Sequence, residues 1–89
     1  MKIILNECYG GFSIAKEWAD LLGVYPHDEE KLRFNEVLIK AIEAGLQVSD
    51  FHSELRVITI PDNATDYKIT EYDGCESLIY VVDGKLHWA

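Results

Sequence analysis

The chain has 89 residues, a net charge of −8 and 48% apolar residues, the composition of a folded globular protein and not of a disordered segment. That length sets an expectation of one domain, residues 1–89, with little room for a large active-site cavity. The acidity disfavours binding to phosphate backbones, and no apolar run reaches the ~20 residues that cross a bilayer, so neither nucleic acid nor a membrane is expected as a partner.

Residues 2–5, Lys-Ile-Ile-Leu, read as a strand. A single Lys and so short an apolar run do not make a signal peptide, so a cytosolic location is the expectation. Gly10 and Gly11 follow, where the backbone is free of β-carbon restraint. Ser13 stands where a helix N-cap belongs. A helix is predicted over residues 14–22, with Ile14, Trp18, Leu21 and Leu22 on one face and Gly23 closing it. Trp18 is read as a core anchor.

Pro26 and the run His27-Asp28-Glu29-Glu30 mark a solvated turn. Asp28 is a possible cap, but Leu32 points away from the apolar face that follows. The second helix is therefore started near Asn35, a good N-cap, and stopped at Gly45. Its apolar face is Phe34, Val37, Leu38, Ala41 and Ile42. Residues 46–53 are a connector. His27 and His52 fall in polar loops and are read as solvated side chains.

Residues 55–60 form a strand with apolar groups on both faces, ended by Pro61. Residues 67–72, 75–82 and 85–88 are separated by Asp73-Gly74 and Asp83-Gly84, both strong two-residue hairpin signals. The second hairpin should pair Val82 with Lys85, Val81 with Leu86, Tyr80 with His87 and Ile79 with Trp88. Ile79, Val81, Leu86 and Trp88 would then share a face that meets the helices. The first hairpin sets Glu71 opposite Glu76. That clash of like charge invites a bulge or longer loop. The expected fold is α+β, in the order β-α-α-β-β-β-β. Two helices pack on one face of a mixed, mostly antiparallel sheet, with the first strand and the 55–60 strand parallel.

Three groups of residues are candidates for chemistry. Gly10, Gly11 and Ser13 place backbone N–H groups between a strand and a helix, an arrangement that can cradle an anion. The third glycine of a dinucleotide fingerprint and the Gly-Lys-Ser/Thr of a phosphate loop are missing, so a tight turn is the simpler reading. Cys8, near the predicted helix start, is a candidate nucleophile. It would need a base, and no spacing sets His27, His52 or His87 beside it. Glu71, Asp73 and Glu76 are a candidate carboxylate cluster, although Asp73 is already explained as a turn residue. Neither Cys8 nor Cys75 lies in a Cys-x-x-Cys, and no Cys/His spacing supports zinc, so no metal and no cofactor is expected.

Cys8-Tyr9-Gly10-Gly11-Phe12-Ser13, directly after a Met-Lys-Ile strand, resembles a family of small uncharacterised bacteriophage and prophage proteins. Val57-Ile58-Thr59-Ile60-Pro61-Asp62 and Ile69-Thr70-Glu71-Tyr72-Asp73-Gly74 resemble it too, in matching order, so the likeness spans most of the chain. Many members carry a His-Arg pair near a terminal Trp. This chain ends Lys85-Leu86-His87-Trp88-Ala89, without the Arg. The resemblance implies a genomic setting in a bacterial host and no particular reaction. Five tyrosines, Tyr9, Tyr25, Tyr67, Tyr72 and Tyr80, together with the acidity, suit protein contact better than catalysis. The expectation is a non-enzymatic module that binds another protein or a second copy of itself. A small-ligand or phosphate site at the glycine turn is the alternative, and an enzyme built on Cys8 comes third.

Overall fold

Ile3, Ile4 and Leu5 are all buried, so the first strand is covered on both faces and lies inside the molecule. The computed structural model describes residues 1–89 and shows why. The elements are β1 (Lys2–Asn6), α1 (Lys16–Leu22), α2 (Glu29–Leu32), α3 (Glu36–Glu43), β2 (Leu55–Thr59), β3 (Asp66–Tyr72), β4 (Cys75–Val82) and β5 (Lys85–Trp88). β1 pairs with β2, and β3-β4-β5 form a second sheet. The class is α+β, as expected.

Three layers result from the alternation of side chains along β1. Ile4 packs with Leu32, Leu38, Ile39 and Ala41 of the helices. Ile3 and Leu5 point the other way and meet Ile60 and Leu78, with Ile69 and Tyr80 beside them. The β1-β2 pair is thus held between the helices and the three-stranded sheet. Burying a Leu or Ile side chain contributes about 1.5–3 kcal/mol, so this central strand is where the stability concentrates.

The β1-β2 pair is antiparallel, with Lys2 opposite Thr59 and Asn6 opposite Leu55. The parallel pairing expected from a simple helical crossover is therefore corrected, and both sheets are antiparallel throughout. The cause is the connector after α3. Ser49 forms a bridge with Ile14, and Ala15 donates to the Val48 carbonyl at 2.8 Å. This short extended passage carries the chain to the far end of β1. β2 then starts beside Asn6 and runs back.

The helices also differ from expectation. α1 is capped by Ala15 without a side-chain hydrogen bond, so Ser13 is not its N-cap. Leu21, assigned to the apolar face, is exposed, whereas Trp18 does pack on the core and donates Nε1–H to the Gln47 carbonyl at 2.9 Å. A third helix, α2, occupies part of the stretch read as a turn. Asp28 caps it, accepting from the Lys31 N–H, and Leu32 is fully buried. Because α2 and α3 are separate helices, Leu32 need not lie on the α3 face to reach the core. Asn35 caps α3 by accepting from the Leu38 N–H at 3.0 Å, as expected. The buried side of α3 is Leu38, Ile39 and Ala41, while Phe34 and Val37 stay exposed.

The second hairpin takes the expected register, with Ile79 opposite Trp88, and the first sets Glu71 opposite Glu76 without the bulge or longer loop that their like charge invited. Asp73, Gly74, Asp83 and Gly84 all have positive φ, the condition of a type I′ turn. The buried side of this sheet is Glu76, Leu78 and Tyr80, not the face of Ile79, Val81, Leu86 and Trp88. Leu86 is 68% and Trp88 70% exposed. The expected inner face is therefore the outer one.

A junction of three loops

Asn6 ends β1, and its amide ties three loops together. Nδ2 donates to the Cys8 carbonyl at 2.9 Å and to the Gly74 carbonyl at 2.8 Å. Oδ1 accepts the Glu54 N–H at 2.9 Å. The loop after β1, the loop before β2 and the β3-β4 turn are thereby joined at one buried side chain. Asn is depleted in strands, and its place after Ile-Ile-Leu is the one signal in the sequence that marks it.

The loops touch backbone to backbone, and this is what the glycines permit. A β-carbon on Gly10 would lie 1.7 Å from the His52 carbonyl oxygen. One on Gly74 would lie 2.6 Å from the Gly11 nitrogen. Gly11 itself has open space around it and is required by its φ of +89°.

Ser13 is buried and donates Oγ–H to Asp50 Oδ2 at 2.5 Å. Asp50 Oδ1 accepts the His52 N–H at 2.7 Å, and Ser53 donates its hydroxyl to the Ser13 carbonyl at 2.7 Å. Burial raises the Asp50 pKa, but the hydrogen bonds from the Ser13 hydroxyl and the His52 N–H outweigh it and hold the carboxyl below its usual value. A depressed folded-state pKa stabilises the fold above the unfolded pKa of about 3.9, and the effect is lost as pH falls through the folded value. Asp50→Asn should therefore lower the melting temperature at pH 6. The gap to the parent protein should narrow as pH is taken from 4 towards 2. Circular dichroism melts of both proteins measure it, and a constant gap would refute the assignment.

One wall of the junction is an ion pair. Arg33, the C-cap residue of α2, is buried, as is Glu76 of β4. Nη1 donates to Glu76 Oε1 and to the Ile4 carbonyl, each at 2.9 Å. Nη2 donates to Glu76 Oε2 and, at 2.9 Å, to Glu29 Oε2. Burial lowers the guanidinium pKa, yet Glu76 and Glu29 outweigh it and raise the value above normal, so the group is always charged. Phe12 lies beneath it, with the ring centroid 4.9 Å from the guanidinium carbon.

This pair also completes β1. The Glu7 N–H bonds to the Glu54 carbonyl, so Ile4 and Asn6 face the opposite edge. There the Ile4 N–H donates to the Arg33 carbonyl at 2.9 Å, and the Asn6 N–H donates to Glu76 Oε1 at 2.8 Å. Arg33 and Glu76 stand in for a third strand on an edge that would otherwise be buried unpaired. They also explain the undistorted first hairpin. Arg33 neutralises Glu76, and Glu71 Oε1 turns to accept the Gly74 N–H at 2.7 Å. Nothing in the sequence singles out Arg33.

The candidate residues are distributed as follows. Gly11 and Gly74 line a cleft of about 450 Å³ with Glu29, Arg33, Glu71 and Glu76. Three carboxylates and a guanidinium with both terminal nitrogens engaged make poor company for an anion. Gly10 faces His52, and Ser13 spends its hydroxyl on Asp50. Cys8 Sγ lies 3.0 Å from the His52 carbonyl oxygen. Of the imidazoles, His52 leans on Phe51, His27 Nδ1 meets the Phe12 carbonyl, and His87 stacks on Tyr80. Of Glu71, Asp73 and Glu76, the two glutamates sit opposite each other and share the cleft, while Asp73 is exposed in its turn. No three His, Cys, Asp or Glu side chains are grouped to hold a metal ion.

Aromatic rings sit on the outside of the junction. Tyr9 and Tyr72 meet edge to face at 6.4 Å, and Phe51 lies 3.9 Å from the His52 ring. Tyr9 is 70%, Tyr72 76% and Phe51 92% exposed.

Fold and junction together define a small α+β protein whose loops are locked into a polar centre with an aromatic rim. No helix is long and apolar enough to cross a membrane. No protein-family model matches the chain, and no curated protein or solved structure matches it either.

Proposed function

We propose that the protein is a non-enzymatic interaction module that binds another protein through the rim of the three-loop junction. The observation that carries this reading is the exposure of Tyr9, Phe51 and Tyr72 on loops that the Asn6 and Asp50 hydrogen bonds hold in place. Rings on a fixed backbone offer contact area at low entropic cost. The resemblance to phage and prophage proteins supplies a setting, the cytoplasm of a bacterial host. The carboxylates of the cleft and the committed Ser13 hydroxyl weigh against phosphate at the glycine turn. A Cys8 enzyme would need a base beside the thiol, whose hydrogen-bond partners are the Asn6 side-chain oxygen and the His52 carbonyl and not an imidazole.

The test is affinity capture from a bacterial lysate with the parent protein and a Tyr9→Ser/Phe51→Ser/Tyr72→Ser variant. All three side chains are exposed, so the variant should melt within about 3 °C of the parent. A protein held by the parent and lost by the variant supports the reading. Identical capture profiles would end it.

The outer face of β3-β4-β5 supports a second reading, pairing with another copy. Ala89 donates to the Leu78 carbonyl, so the β5 main chain at Leu86 and Trp88 faces the free edge. Two β5 strands related by a two-fold at His87 would set Leu86 against Trp88 of the second copy. Sedimentation equilibrium of the parent and of Leu86→Ser/Trp88→Ser separates this from a monomer.

A further inference from the structure

We infer that the partner presents an arginine-rich segment to the junction; this deepens the proposed function and rests on it. The basis is where the charge lies. Residues 7–13, 50–56 and 71–76 form the junction and hold Glu7, Asp50, Glu54, Glu71, Asp73 and Glu76 against one cation, Arg56. With Arg33 counted, 21 of the 89 residues carry half of the chain's net −8. Sequence does not show this concentration, because the three segments are far apart until the fold brings them together.

Both cations there are already committed. Arg56 pairs with Glu7 at 3.1 Å and with Glu54 at 3.7 Å. Arg33 is buried between Glu76 and Glu29. Asp73 and Glu71 stay exposed, on either side of Tyr72 in the chain. Tyr72 in turn abuts Tyr9. A guanidinium laid on either tyrosine face meets a π-system in a region of net negative charge. Such a site attracts cations through charge and ring quadrupole together. Planar guanidinium satisfies both better than the compact, strongly hydrated ammonium of Lys. An acidic segment would be repelled from the same surface.

The probes are the synthetic peptides (Arg-Gly)₄, (Lys-Gly)₄ and (Glu-Gly)₄, titrated into the full chain and followed by amide shifts and fluorescence anisotropy. (Arg-Gly)₄ should shift amides within residues 7–13, 50–56 and 71–76 and bind more tightly than (Lys-Gly)₄, with no shifts from (Glu-Gly)₄. Tyr9→Ser/Tyr72→Ser leaves the net charge unchanged and should weaken (Arg-Gly)₄ about tenfold, the combined worth of two exposed cation–π contacts. Glu43→Gln/Asp62→Asn/Asp83→Asn removes three charges at the ends of β1 and β4 remote from the junction and should change affinity by less than about threefold, since screening confines exposed charges to about 10 Å at 0.1 M salt. Shifts scattered over the whole acidic surface, or no loss in the tyrosine variant, would overturn the inference. If the lysate partner still depends on the rings while (Arg-Gly)₄ does not, only this inference fails. If neither depends on them, the proposed function fails as well.

Discussion

Arg33→Met should melt about 15–30 °C below the parent protein. The substitution leaves Glu76 charged and buried, and it strips the Ile4 carbonyl of its donor. Removing one partner of a buried pair costs about 3–5 kcal/mol, because the remaining charge is unsolvated. In a domain of this size each kcal/mol moves the midpoint by about 4–8 °C. A total stability of about 5–15 kcal/mol leaves little in reserve. The companion variant Arg33→Met/Glu76→Gln separates charge from shape. The new side-chain amide is neutral and keeps an oxygen for the Asn6 N–H, the bond Glu76 now accepts at 2.8 Å. The double variant should recover at least half of the lost melting temperature. If the single variant loses less than about 5 °C, or the double variant recovers nothing, the pair does not pin the edge of β1.

Gly10→Ala should cost about 3 kcal/mol, near the top of the range for inserting a methyl group into filled space. The added carbon would fall 1.7 Å from the His52 carbonyl oxygen, which belongs to main chain and not to a side chain free to swing away. That carbonyl also receives the Cys8 thiol, so moving it disturbs a second contact. Gly11 makes the control. Its β-carbon would meet nothing, and its φ of +89° is the sole obstacle. Gly11→Ala should therefore cost about 1–2 kcal/mol, and Gly11→Asn less, since Asn tolerates positive φ better. Urea unfolding of the three variants orders them. A Gly10→Ala protein as stable as Gly11→Asn would mean the two loops are not in contact.

Some of this architecture is local and so was open to reading. Asp73-Gly74 and Asp83-Gly84 fix hairpin registers within four residues of chain, because a two-residue turn with positive φ admits one pairing. Asn35 caps α3 by a bond to a residue three places on. Other features were open to misreading for an equally plain reason. Ser13 has the right type and place for a cap, but Asp50, 37 residues away, takes its hydroxyl. Phe34, Val37, Leu38, Ile39, Ala41 and Ile42 make an apolar arc wider than one contact face. The packing of α3 on β1 and β2 buries Leu38, Ile39 and Ala41 of that arc.

By itself the sequence determined where strands and most helices fall, how each hairpin is paired and that the class is α+β. Tertiary structure decided which face of each element is inside. In β4 both faces carry apolar groups, and only the arrival of Ile3 and Leu5 of β1 buries Leu78 and half-covers Tyr80 while Leu86 and Trp88 of β5 stay in water. It also decided the direction of β2, through the Ser49–Ile14 bridge, and the pairing of Arg33 with Glu76 across 43 residues. Local conformation depends on neighbours a few residues apart, which a sequence displays. Burial and charge pairing depend on partners far along the chain, and those become neighbours only when the layers close.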